Sequence, residues 1–200
     1  VQPRLNGGTK GSHLIVDKFP GAPKDVIYYE TRTDGRLILV IPWLDKIMLG
    51  TTDIRWETDP GEARCDIGEL DYLLNEVNAL IPEAKLRYED VLYTYSGVRP
   101  LPYEPEKSES SVTRTHILFD HKGTGLDGLI TVVGGKLTTF RQLAEDAVVD
   151  LAKRFGRSIG TSQSRQRLLP GAHFDSFEVL IAALIAQGAR DIIDRTRALH

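Results

Sequence analysis

Gly134-Gly135-Lys136-Leu137-Thr138-Thr139 combines the residue types that let an anion lie against bare backbone. The β-branched run 129–133 stops at the two glycines, and helical periodicity starts beyond them. Phe140, Leu143, Ala144, Ala147, Val148, Leu151, Ala152 and Phe155 fall on one helical face. A glycine pair removes Cβ atoms from the path of a ligand, while the free N–H groups and positive dipole end of the next helix favour negative charge. The Lys136 ammonium would add to that field. Thr139 with Gln142 has the spacing of a capping box, which predicts a helix starting near Thr138.

Three other residues could join such a site. Arg99 ends the alternating segment 90–98, fixed between Gly97 and Pro100, and a guanidinium fork suits a phosphate or carboxylate. Arg114 opens a further strand and could act in the same way; both arginines are equally compatible with solvated strand ends. His13 follows Gly11-Ser12 on the first strand and could accept a proton near neutral pH, or simply pack. Gly50-Thr51-Thr52-Asp53 reads first as a structural turn at a strand end.

Gly11-Ser12-His13, Gly50-Thr51-Thr52-Asp53, Ser96-Gly97-Val98-Arg99-Pro100-Leu101 and Gly134-Gly135-Lys136-Leu137-Thr138-Thr139-Phe140-Arg141 together resemble the FAD-dependent glycerol-3-phosphate dehydrogenases in content, order and approximate spacing. The resemblance covers roughly residues 10–157. It implies that the whole protein oxidises sn-glycerol 3-phosphate to dihydroxyacetone phosphate and passes electrons through FAD to a quinone or another acceptor. It also implies that Arg99, Arg114 and Lys136 bind the substrate, that Arg99 and His13 are catalytic, and that Gly134, Gly135, Lys136, Leu137, Thr138 and Thr139 contact the flavin. Thr115 departs from the family pattern, which places an acid after the arginine at 114, so an orienting partner for Arg114 is missing from that position. A glycerol-3-phosphate oxidase that uses oxygen shares these motifs, and a non-catalytic ligand-binding module is the alternative from another class.

The chain contains no Gly-x-Gly-x-x-Gly that leads from a strand into a helix, the fingerprint that holds a dinucleotide pyrophosphate; Gly123-Thr124-Gly125-Leu126-Asp127-Gly128 has that spacing but separates two expected strands. The 200 residues therefore read as a fragment lacking the family's N-terminal FAD-binding region, inactive without it. The expected domains are a substrate- and flavin-contacting part over 1–157, a linker over 158–171, and the beginning of a C-terminal helical domain over 172–200.

With 41% hydrophobic and 26% charged residues, the composition is that of a soluble globular chain. A net charge of −3 gives no reason to expect nucleic acid. Cys65 is the only cysteine, which rules out an intrachain disulfide and fits the cytoplasm. No cluster has metal-ligand spacing and no secretory signal is visible. The apolar run 179–186 is far shorter than the roughly 20 residues that span a bilayer, so membrane contact would be peripheral. An unfinished tail would expose apolar surface, and a homo-oligomer is compatible with that.

The fold expected is α+β, a mainly antiparallel cap sheet with packed helices and a strand-Gly-Gly-helix corner. Short β-branched runs at 12–16, 26–30, 36–41 and 46–52 follow one another without helices, and Asp34-Gly35 is a hairpin turn. Ile67, Leu70, Leu73, Leu74, Val77 and Leu80 predict a helix over 66–80 that opens with an Asp66/Glu69 capping box. Strands are expected at 90–98, 114–119 and 129–133, and helices at 176–187 and 189–199.

Overall fold

The structure is a computed structural model that describes residues 3–169 and 172–187. It divides into two compact units between Leu143 and Ala144.

The first unit is built on a six-stranded antiparallel sheet. Its central strand, β1 (Thr9–Asp17), carries β6 (Val91–Arg99) along one edge, with Thr9 opposite Arg99 and His13 opposite Tyr95. Along the other edge run β4 (Lys46–Gly50) and the two-residue β5 (Ile54–Arg55), which meets Thr9 and Lys10. Outward from β4 lie β3 (Leu37–Trp43) and β2 (Ile27–Glu30), giving the order β2-β3-β4-β1-β5 with β6 paired to β1. The expected hairpin turn forms: Gly35 adopts φ +69° and the Thr31 N–H donates to the Arg36 carbonyl.

The sheet has one packed face. Leu14 and Val16 of β1, Ile38 and Val40 of β3, and Ile47 and Leu49 of β4 are fully buried with Leu73 and Val77 of helix α1 (Ile67–Leu80). Burying side chains of this size stabilises the unit by roughly 1.5–3 kcal/mol each. α1 starts as its sequence predicts. Asp66 accepts from the Glu69 N–H, and the Glu69 carboxylate accepts from the Asp66 N–H.

A separate hairpin pairs β7 (Ile117–Asp120) with β8 (Ile130–Val133) and leads into the glycine corner. The expected strand at 114–119 is thus shifted to 117–120. The helix beyond the corner starts at Phe140, not near Thr138. The Thr139 hydroxyl bonds the Lys136 backbone, accepting from its N–H and donating to its carbonyl, and Leu137–Thr139 forms a 3-10 turn ahead of the helix. Helix α2 (Phe140–Arg154) then has the predicted apolar stripe, but that stripe is largely exposed, with Phe155 just beyond its end at 73%.

In the second unit, α2 ends at Gly156, which takes φ +63° while Arg157 N–H donates to the Ala152 carbonyl, the left-handed glycine termination of a helix. Helix α3 (Phe177–Ala186) is capped by Ser176, whose hydroxyl accepts from the Val179 N–H. The helix expected at 189–199 lies outside the described residues. Among the described residues no helix is long and apolar enough to cross a membrane.

Candidate functional site

Strand alternation sorts β1 into two faces. Lys10, Ser12, Leu14 and Val16 point to the buried side, leaving Gly11 and His13 together on the other. A Cβ on Gly11 would collide with the Arg99 guanidinium, so the missing side chain is what lets Arg99 lie across the central strand. Arg99 Nη1 then donates to Asp53 Oδ1 at 3.0 Å, and Nη2 donates to Thr51 Oγ1 at 3.0 Å and to the Thr52 carbonyl at 3.2 Å. Burial pulls the Arg99 pKa below its ordinary value, with the neighbouring Arg114 charge acting in the same direction and Asp53 against it. The group remains a cation at neutral pH.

Asp53 takes a second arginine. Arg114 Nη2 donates to Asp53 Oδ2 at 3.1 Å, so one carboxylate holds one guanidinium on each oxygen. The acid that Thr115 fails to provide is supplied from 61 residues earlier in the chain. Arg36 Nη1 donates to the Asp53 carbonyl and fixes the same residue through its backbone. The segment 51–53 is therefore part of the arginine site as well as a turn. The usable signal was the acid of Gly-Thr-Thr-Asp beside two arginines lacking partners.

His13 sits on the open face with its ring stacked on Tyr95, centroids 4.7 Å apart and planes 5° from parallel. The ring covers Gly50, where any Cβ would strike it. Its Nδ1 is buried and has no hydrogen-bond partner among the described residues. Burial lowers the His13 pKa and the Arg99 charge lowers it further, so the imidazole is neutral at pH 7 and able to take a proton.

Behind the arginine site, Glu69 closes a buried network. Its Oε1 accepts from Ser12 Oγ at 2.8 Å and Thr52 Oγ1 at 2.5 Å, and its Oε2 lies 2.8 Å from Lys10 Nζ. Burial alone would pull the Lys10 pKa down, but the hydrogen bonds and charges of Glu69 and Asp66 outweigh it and leave the ammonium favoured. The start of α1 is thereby tied to Thr52, whose carbonyl holds Arg99.

The glycine corner packs against the chain just after Arg99. Gly134 at φ +75° would place a Cβ 2.9 Å from Pro102 Cδ, and Gly135 at φ +84° would place one 3.3 Å from both His116 Cβ and Leu143 Cδ1. Both glycines are thus demanded by the fold itself, whatever binds there. Lys136, Leu137, Thr138 and Thr139 are exposed, and Leu137 shows 90% of its surface. Arg99, Arg114 and His13 therefore form one cluster, and Lys136 belongs to the adjoining corner. No hydrogen bond or ion pair joins Lys136 to that cluster among the described residues.

Residues 2–141 match the family model described as FAD dependent oxidoreductase. The chain is 46% identical over 172 residues to a glycerol-3-phosphate dehydrogenase of Synechocystis sp. (strain ATCC 27184 / PCC 6803 / Kazusa), covering 86% of this chain and 31% of that protein. It is 37% identical over 163 residues to the aerobic glycerol-3-phosphate dehydrogenase of Escherichia coli (strain K12), covering 81% and 32%. The chain thus spans about a third of the length of the curated relatives it matches. Among solved structures, a glycerol-3-phosphate dehydrogenase from Bacillus halodurans complexed with FAD superposes with a TM-score of 0.71 at 28% identity, over 96% of this chain and 37% of that one.

Proposed function

The chain belongs to the FAD dependent oxidoreductase family, and from that premise we propose that it forms the substrate side of a flavoenzyme that oxidises sn-glycerol 3-phosphate to dihydroxyacetone phosphate. The observation that carries this reading is the pairing of Arg99 and Arg114 on Asp53 beside a neutral, buried-edge His13. A phosphate needs cationic forks, and a secondary alcohol needs a proton acceptor. The names of the relatives support the same substrate.

FAD, the family's cofactor, supplies the hydride acceptor when bound. The glycine corner suits such a group: two residues without Cβ atoms, a lysine at a helix N-terminus, and the exposed apolar Leu137 and Phe140. Residues 134–139 would hold the ring, with Lys136 and the dipole of α2 favouring negative charge on it. Arg99, Arg114 and Lys136 bind the phosphate and fix the orientation of the carbon skeleton. His13 takes the hydroxyl proton as the C2–H bond breaks. A nucleotide-binding region outside these 200 residues would hold the ADP half of the cofactor, with 1–157 as the substrate and flavin part, 158–171 as a linker and 172–200 opening a helical domain.

A quinone as final acceptor, reached by a cytoplasmic protein attached peripherally to a membrane, completes the reading; the relatives are named dehydrogenases, not oxidases. The test is anaerobic addition of sn-glycerol 3-phosphate to the purified holo-flavoprotein that carries this chain. The flavin absorbance should bleach with glycerol 3-phosphate and not with glycerol. Equal bleaching by an unphosphorylated alcohol, or none by glycerol 3-phosphate, would overturn the assignment. Peroxide released in step with turnover in air would replace the quinone with oxygen.

A further inference from the structure

Two guanidiniums side by side repel each other and, in water, hold no fixed spacing. In this structure Arg99 and Arg114 are brought together by a single carboxylate. Asp53, with its side chain only 12% exposed, accepts from Arg99 Nη1 on Oδ1 and from Arg114 Nη2 on Oδ2. The carboxylate is itself immobilised. Its own carbonyl takes Arg36 Nη1, and the preceding Thr52 is pinned through its hydroxyl to Glu69, which is fully buried. Thr52 Oγ1 also accepts from the Ser12 N–H at 2.8 Å, which ties the segment to the central strand.

The donor count separates the two arginines. Arg99 has three N–H bonds committed to Asp53, Thr51 and Thr52, leaving two of the five that a guanidinium carries. Arg114 has one committed to Asp53 and a side chain 42% exposed, leaving four. Arg99 is thus the rigid member and Arg114 the open one. The shared carboxylate cancels one of their two charges, so they stay close without losing their attraction for an anion.

We propose that Asp53 is a positioning residue that ties Arg99 and Arg114 into one clamp for a phosphate monoester. This rests on the assignment of glycerol 3-phosphate as substrate, and it adds the residue that sets the spacing of the clamp. Asp53 acts through the arginines and touches neither the reacting carbon nor its proton.

The test uses the holo-flavoprotein with Asp53→Asn, assayed by KM for sn-glycerol 3-phosphate, by kcat, and by the inhibition constant of inorganic phosphate. The amide turns one acceptor into a donor aimed at an arginine and removes the charge that holds the pair together. KM and the phosphate inhibition constant should rise together by about tenfold or more, with kcat within about threefold and flavin content unchanged. A fold-supporting role alone would lower the melting temperature or the flavin content and leave both constants where they were. Unchanged constants, or tighter phosphate binding in the variant, would overturn the proposal. Asp53→Glu guards against a folding failure. It keeps the charge but moves the carboxylate by one methylene, so it should raise both constants in parallel, and constants equal to wild type in this variant would overturn the clamp as well. If the wild type is not reduced by glycerol 3-phosphate, the substrate assignment fails. The clamp is then read separately, by calorimetric titration of inorganic phosphate into wild type and Asp53→Asn, where equal affinities would overturn it.

Discussion

Arg99 and His13 share one small face of the central strand, and each explains part of the other's environment. The guanidinium over Gly11 holds three protein acceptors and keeps two N–H groups. Charge-assisted hydrogen bonds of this kind contribute roughly 1.5–3 kcal/mol, so Arg99→Ala in the holo-flavoprotein should lower kcat/KM for glycerol 3-phosphate by about ten- to a hundredfold. Flavin content should stay the same, as measured by absorbance after gel filtration; a variant with wild-type kcat/KM would remove Arg99 from the substrate. His13 titrates in the opposite sense to a histidine paired with an acid. Burial first, and the Arg99 charge second, depress its pKa below 6.5. The neutral base therefore persists to more acidic pH, and the acid limb of kcat/KM should fall below pH 6.5. His13→Asn should abolish that limb and lower kcat by about 10²–10⁴-fold. The same shift acts on stability: the fold favours neutral His13, so this contribution is complete above pH 6.5 and is lost as pH falls through the depressed pKa. Steady-state pH profiles of both proteins, with thermal melts over the same range, check each part.

At the scale of elements, α1 was legible because its signals are local. The Asp66/Glu69 box and the stripe at Leu70, Leu73, Leu74 and Val77 are read within two or three turns, and the helix forms from Ile67 to Leu80 as they require. The segment 51–53 was not, because what decides its role comes from Arg99, 46 residues from Asp53, and from Glu69, 17 residues from Thr52. The helix expected near Thr138 opens as a 3-10 turn over Leu137–Thr139, where the Thr139 hydroxyl bonds back to Lys136, and becomes α-helical at Phe140. Burial separates the two acids at the start of α1, both of which pair with the Lys10 ammonium. Asp66 is a half-exposed cap, so Asp66→Ala should cost about 1 kcal/mol. Glu69 is fully buried, so Glu69→Ala removes the buried partner of the Lys10 ammonium together with the shared acceptor of the Ser12 and Thr52 hydroxyls, and should cost about 3–5 kcal/mol. Denaturant unfolding of the two variants should rank them in that order, and equal losses would mean that the buried bonds of Glu69 add nothing beyond the helix cap.

At the scale of the whole molecule, the described residues of this FAD dependent oxidoreductase chain form two compact units. Every strand pair among them is antiparallel, and the Gly-x-Gly-x-x-Gly spacing of Gly123, Gly125 and Gly128 lies between β7 and β8, where it opens no α-helix of the kind that receives a pyrophosphate. The glycine corner proposed for the ring end of FAD is only a short stretch of backbone, with Leu137 and Phe140 exposed beside it. Affinity for a dinucleotide is normally divided between its two halves, and a ligand held at one end gains nothing from the linked second contact. The 200-residue chain mixed with FAD and passed through a desalting column should therefore emerge without visible flavin absorbance, and anaerobic glycerol 3-phosphate should change nothing. Retained flavin would show that the corner and the sheet bind the cofactor alone. Flavin that is both retained and bleached by the substrate would go further, making the Arg99, Arg114 and His13 cluster sufficient for turnover without a separate nucleotide-binding region.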